Sequence, residues 1–360
     1  MEAAWFAIIS GMLAVYAVLD GFDFGVGIIH RIVARTDHER RTTLAAIGPV
    51  FDGNEVWLIA AGGLLFMAFP NVYATAFSGF YLALMIVLWL LILRGMSIEY
   101  RLHQDNPLWC EFWDTIFSIA SALLAIVFGA TIGNLVRGVP LGDEGLRGMA
   151  LFTNFLPGRK PGILDWYTCL VGLLTLAALA GHGALYLAWR TDGPVRDRSL
   201  ALARPAWIAT LALWAATTAA TAWVQPGVFA NLASRPWNLT FVGLSLAGAW
   251  GVFAFPKRGR ELAAFLSSSA FVFGLVGTAL AGNYPDWLRS TLDPSFSLTA
   301  TNSASASYGL RAALVWWGVG IALVAAYFTN LFRSIRGKVG PASDHDPIAP
   351  EPIPPYHEGT

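Results

Sequence analysis

From Trp5 to Leu19 the chain carries no charged side chain, and eight further stretches of similar length are nearly as apolar. About 20 apolar residues in a helix cross the hydrocarbon core of a bilayer. Inside lipid, only a helix or a closed barrel satisfies its own backbone. Nine spans are expected, over residues 4–28, 50–69, 74–93, 114–134, 163–188, 206–224, 238–255, 262–282 and 312–332. Composition agrees, with 56% hydrophobic and 13% charged residues among 360, where a soluble domain carries about 25% charged. The expected fold class is an all-α integral membrane protein. Its transmembrane domain runs over residues 1–335, and a disordered cytoplasmic tail rich in Pro, Asp and Glu over 336–360. The first apolar run has no basic segment before it, so it reads as a span and not as a cleaved signal peptide. Cys110 and Cys169 fall in different segments and read as unpaired thiols.

Lys and Arg favour the cytoplasmic side of a membrane protein. With the N-terminus outside, the cytoplasmic loops and C-terminus hold 16 of the 23 basic residues. These are Arg31, Arg35, Arg40 and Arg41 after the first span, then Arg94 and Arg101, then Arg190, Arg196, Arg198 and Arg204. Lys257, Arg258 and Arg260 follow, and Arg333, Arg336 and Lys338 end the series. Nine spans then bring the C-terminus to the cytoplasm. The helix spacing allows two four-helix halves and one further helix without requiring them. Trp237 and Trp287, in the outer segments, read as interface anchors.

Against this apolar background a few acids stand out. Asp20 and Asp23 are three apart near the end of the first span, so they share a helix face. An ionised side chain at membrane depth costs at least about 2.5–3.5 kcal/mol. Asp52 and Glu55 are also three apart and open the second span. Glu99 follows the third, beside Arg94 and Arg101. Three consecutive helices thus bring acids to one level of the membrane, on the cytoplasmic side. Carboxyls in that position bind and release protons, and a series of them reads as a proton-uptake path. The structural alternatives are an N-cap, with Asp52 capping the second helix and Glu55 at its third position, and ion pairs locking Asp20 and Asp23 to Arg94 or Arg101. Of the six histidines only His182 falls inside an expected span, and it reads as a packed side chain beside Gly181 and Gly183. No zinc spacing, phosphate loop or nucleophile elbow is present. Redox centres, if any, belong to a partner. No nucleic-acid partner is expected.

Several motifs resemble subunit II of the cytochrome bd-type quinol oxidases. They are Asp20-Gly-Phe-Asp-Phe-Gly-Val-Gly27, Glu39-Arg-Arg41 and Phe51-Asp-Gly-Asn-Glu-Val-Trp-Leu58. Phe77-Ser-Gly-Phe-Tyr81, Arg94 with Glu99-Tyr-Arg101, and Gly133-Asn-Leu-Val-Arg-Gly-Val-Pro140 continue the likeness. Gly181-His-Gly-Ala-Leu-Tyr186 and Ser297-Leu-Thr-Ala300 carry it to about residue 335. The resemblance implies two four-helix bundles and a peripheral helix in a bacterial or archaeal cytoplasmic membrane. It implies a heterodimer whose subunit I holds two b-type haems and one d-type haem. Such a complex oxidises quinol and reduces oxygen to water. Small accessory subunits, bound lipid and, in some members, a structural quinone belong to the same expectation. No haem is ligated by this chain and no catalytic residue lies in it. By matching motif positions, Asp52 and Asp23 are implied as proton-path acids, with Trp57 one turn beyond Asp52. Asp20, Glu55 and Glu99 extend the path, and Arg94, Arg101 and Asn54 support it. His182 stands where some relatives have Gln, which speaks against a ligand role. The rival readings are a proton-coupled transporter acting alone and a subunit whose acids only lock helices.

Overall fold

The computed structural model describes residues 1–146, 148–335 and 337–339. Most of the expected tail, Arg336 and residues 340–360, lies outside the described residues. Eleven α-helices account for most of the described chain: α1 (Glu2–Val33), α2 (Asp37–Ala68), α3 (Pro70–Gly79), α4 (Tyr81–Arg101), α5 (Pro107–Arg137), α6 (Trp166–Arg190), α7 (Gly193–Val224), α8 (Gly227–Ser234), α9 (Leu239–Ala254), α10 (Glu261–Asn283) and α11 (Ser307–Ser334). Nine of the helical segments are long and apolar enough to cross a membrane. They match the nine expected spans, though most extend past the apolar window.

Two boundaries differ for physical reasons. The second span begins at Asp37 and not near residue 50, so Asp52 and Glu55 sit four to five turns inside α2. Its cap is Thr36, whose side chain accepts the Glu39 N–H while the Glu39 carboxylate accepts the Thr36 N–H. The N-cap reading of Asp52 therefore fails. Charged first turns and Pro49 hid this start from hydropathy. The third span divides into α3 and α4 at Phe80. At that break the Met149 N–H donates to Gly79 O at 2.8 Å, which docks the segment after α5 onto it.

α1 lies at the centre, against α2, α5, α6 and α10. α4 packs on α5, α6 on α7, and α9 on α10. Gly25 and Gly183 let α1 and α6 meet backbone to backbone, since a Cβ on Gly183 would lie 2.3 Å from the Gly25 carbonyl carbon. α11 is peripheral and buries only Leu310. Trp5 Nε1 donates to Leu310 O at 3.1 Å, pinning one end of α11. At the other end Arg190 Nη1 donates to Ile335 O at 2.6 Å, and the Val339 N–H donates to Arg190 O at 2.7 Å.

Opposite the Arg-rich end, the segments between spans fold into a cap with a two-stranded antiparallel ribbon (Asp286–Leu288 with Leu298–Thr299). Trp287 is only 4% exposed and packs at a tilt against Phe6, 4.2 Å between ring centres, so it is a core residue and not an interface anchor. Trp237 is exposed. Beneath the cap, Arg137 pairs with Asp165 in a buried salt bridge and donates to Asn134 Oδ1 at 2.5 Å.

Candidate functional site

Asp20 and Asp23 follow an apolar stretch of α1 and turn into the protein, both fully buried. Across from them α4 brings Arg94, also fully buried. Its Nη2 donates to Asp20 Oδ1 at 2.5 Å. The rings of Phe24 and Phe51 lie 4.3 and 4.9 Å from the guanidinium carbon, so aromatic faces cage the cation. α2 supplies the remaining groups. Asn54 Nδ2 donates to Asp23 Oδ2 at 2.8 Å and to Leu19 O at 3.3 Å. Glu55 Oε1 lies 3.9 Å from Arg94 Nη2, with about a third of its side chain exposed.

These groups leave much hydrogen-bonding capacity unused. Tyr16 Oη, Asp20 Oδ2, Asp23 Oδ1, Asn54 Oδ1, Glu55 Oε1 and two nitrogens of Arg94 are buried without a hydrogen-bond partner among the described residues. Buried polar atoms in folded proteins are nearly always paired, with protein or with ordered water. Three carboxyl groups, two of them at one guanidinium and the third held by Asn54, thus form a polar pocket at membrane depth. Proton binding and release is the chemistry open to it.

The other expected residues lie elsewhere. Asp52 is exposed on the far side of α2, lining an apolar cavity of about 620 Å³ between α2 and α11. Trp57, Trp317, Tyr327 and Phe328 line the same cavity. Asp52 and Glu55 are neighbours along α2, yet Glu55 reaches inward to Arg94 while Asp52 does not. Glu99 is exposed near the end of α4.

Arg101 belongs to a second cluster, centred on Asp114, which is 1% exposed. Asp114 Oδ1 accepts from Arg101 Nε at 3.0 Å, and Oδ2 from Arg40 Nη1 at 3.0 Å. His30 Nε2 lies 2.9 Å from Asp114 Oδ1, and its Nδ1 2.7 Å from Thr43 Oγ1. Arg101 Nη2 reaches on to Asp37, and Arg40 Nη1 to Glu111, both near solvent. Sequence reasoning missed His30 and Asp114. His30 lies inside a span after all, seven residues from Asp23 and on its stripe of α1. Asp114 had been the first residue of an expected span, where a lone acid signals little.

His182, fully buried, donates from Nε2 to Val18 O at 3.0 Å, with Nδ1 2.7 Å from Ser268 Oγ. Both nitrogens of each buried histidine, His30 and His182, are thus engaged. Neither fits an axial haem ligand without breaking those bonds. Among the described residues no group of three or more His, Cys, Asp or Glu is placed to hold a metal ion.

Comparison with known proteins adds to this geometry. A family profile described as cytochrome bd terminal oxidase subunit II matches residues 1–335. The chain is 32% identical to a probable cytochrome oxidase subunit 2 of Haemophilus influenzae, across 93% of this chain and 94% of that one. It is 33% identical to the cytochrome bd-I ubiquinol oxidase subunit 2 of Escherichia coli K12, across 90% and 91%. Against the cytochrome bd ubiquinol oxidase subunit 2 of Bacillus subtilis the figures are 28%, 85% and 87%. Among solved structures, a chain of the bd oxidase from Geobacillus thermodenitrificans superposes with a TM-score of 0.67 at 18% identity, covering 93% of this chain and 98% of that one. That likeness extends to the fold.

Proposed function

Because the chain belongs to the cytochrome bd terminal oxidase subunit II family, we propose that it conducts protons toward the oxygen-reducing centre of the complex it helps to build. Membership makes it subunit II of a bd-type quinol oxidase, a multi-pass protein of bacterial membranes and part of an oxidoreductase complex that includes haem and a subunit I. A transporter acting alone is not supported by that membership.

The proposed orientation puts the Arg-rich end in the cytoplasm and the N-terminus outside, in the cytoplasmic membrane. The two b-type haems and one d-type haem sit in subunit I. The engagement of His30 and His182 supports this, since neither is free to bind iron. Subunit I approaches the open side of the cavity between α2 and α11 that Asp52 and Trp57 line. Reducing oxygen to water consumes protons, and Asp23, Glu55 and Asp52 pass them outward from the pocket. Glu55 is the link, because it is half-buried and neighbours Asp52 along the helix while reaching Arg94. Glu99, exposed at the end of α4, collects protons from solvent. Asp20 has a second, structural role, since its bond to caged Arg94 ties α1 to α4.

The observation that carries the proposal is the set of unpartnered polar atoms around Asp23 and Arg94, buried in a membrane helix bundle. Its test is Asp23→Asn and, separately, Asp52→Asn in the purified complex. Oxygen consumption per haem should fall about tenfold or more, as for loss of a positioned proton carrier, while subunit I still co-purifies. Unchanged turnover in both variants overturns the path.

A further inference from the structure

Many cations at the Arg-rich end of the molecule have carboxylate partners. Arg31 pairs with Glu111, Arg40 with Glu111 and Asp114, and Arg41 with Asp37 and Asp105. Arg101 pairs with Asp37 and Asp114, and Arg198 with Glu39. Arg196 and Lys338 both take Glu261. The turn between α9 and α10 breaks this pattern. It carries Lys257, Arg258 and Arg260 within four positions, all exposed, and none has a carboxylate partner among the described residues. The adjacent acid is Glu261, whose carboxylate is taken by Arg196 and Lys338. Arg35, Arg190, Arg204 and Arg333 also lack carboxylate partners among the described residues, but no two of them are neighbours in the chain.

Aromatic and apolar residues lie beside this turn. The Arg260 guanidinium lies 5.7 Å from the centre of the Phe255 ring. Phe255 in turn meets Trp250 edge-on at 5.7 Å. Trp250 is 62% exposed, and Leu246, one turn before it on α9, is 56% exposed. Tryptophan at the end of a spanning helix marks the level of the headgroups. The turn therefore places three cations, without carboxylate partners among the described residues, next to an exposed aromatic edge. The backbone N–H groups of Arg258, Gly259 and Arg260 bond within the turn, so recognition falls to the side chains.

We propose that this turn is a binding site for an anionic phospholipid, its phosphate between Lys257, Arg258 and Arg260 and an acyl chain along Trp250 and Leu246. Basic groups near a membrane surface each favour anionic lipid about fivefold. Three together give a preference on the order of 100-fold over zwitterionic lipid. The site is remote in the chain from the acids of the proton path, and the proposal does not depend on that path.

The experiment uses the intact oxidase complex in nanodiscs that contain a photoreactive phosphatidylglycerol or the matching phosphatidylcholine. Labelled peptides are mapped by mass spectrometry. The expected result is labelling by phosphatidylglycerol concentrated on the peptide that holds Trp250, weak labelling by phosphatidylcholine, and at least a tenfold loss with Lys257→Gln, Arg258→Gln and Arg260→Gln combined. Turnover of that variant should match the parent, which also shows that it folds. Equal labelling by the two lipids, or labelling indifferent to the triple substitution, overturns the proposal. Inorganic phosphate is added as a competitor. Loss of labelling at low phosphate concentration would mean that a free anion and not a lipid occupies the turn, and would likewise overturn it.

Discussion

Two buried charge clusters lie along the same stripe of α1 and are wired in opposite ways. Around Asp114 one carboxylate faces Arg40, Arg101 and His30, both of its oxygens accept, both nitrogens of His30 are engaged, and two atoms among the described residues, Arg40 Nε and Arg101 Nη1, lack a partner. Around Arg94 one guanidinium pairs with Asp20 and approaches Glu55, Asp23 is held nearby by Asn54, and seven polar atoms of the group find no partner among the described residues. Buried networks that are fully satisfied rigidify a fold, and those that are partly satisfied carry a cost. Both clusters are partly satisfied, but a chain that retains seven unpartnered atoms around Arg94 against two around Asp114 points to a use for the former. The Arg137–Asp165 pair at the other end of the molecule is satisfied throughout, since Asn134 Oδ1 and Gly138 O accept the remaining bonds of Arg137. The contrast separates charges that hold helices from charges that exchange protons.

The largest effect expected is from Asp114→Ala. It strands Arg40 and Arg101 beside a buried histidine, and removing one partner of a buried ionic group costs about 3–5 kcal/mol. The complex should assemble poorly and lose haem on mild heating, as followed by its absorbance. A variant that assembles and withstands heat like the parent would dissolve the contrast between the clusters. Next in size is the Asp20–Arg94 pair. Arg94→Gln alone leaves Asp20 buried without its cation and should impair assembly. Combining it with Asp20→Asn should recover assembly, with a coupling of about 2 kcal/mol between the two changes. Turnover is the sharper reading. If the double variant also regains parental oxygen consumption, Arg94 is only a lock and the two clusters are alike in kind.

How much of this was legible beforehand depends on where each partner sits in the chain. The nine spans were visible because a bilayer imposes length and composition together. Asp20 and Asp23 were visible because they share one helix with nothing charged before them, and Arg94 was named as a partner for them. The Asp114 cluster was not visible. Its arginines come from two other helices and its histidine from a third, and no local pattern states which arginine turns inward. The start of α2 was misplaced although Thr36 and Glu39 carry the spacing of a capping box. Hydropathy outvoted that signal because the first three turns of α2 project beyond the apolar window. Asp52 and Glu55 were expected to act on one face. Their carboxylates part because one side of α2 packs on α1 while the other meets the cavity beside α11.

The smallest effect tests the same contrast at the surface. Past α11 the chain turns back, and Lys338 Nζ lies 2.8 Å from Asp192 Oδ1 and 3.1 Å from Glu261 Oε2. Partial burial works to lower the pKa of Lys338, but the two carboxylates outweigh it and hold the value above that of an ordinary lysine. The contribution is therefore fully present below the ordinary lysine value and fades only as pH rises through the raised one. About a third of the lysine side chain is exposed, and exposed pairs contribute about 0.2–1 kcal/mol. Lys338→Gln should shift the inactivation temperature of the complex very little, because the Val339 N–H bond to Arg190 O still pins the end of α11. High salt should mimic the substitution in the parent and add nothing in the variant. Loss of stability on the scale of Asp114→Ala would show that the anchoring of α11 depends on this ion pair. Burial would then no longer be what separates structural charges from incidental ones in this subunit.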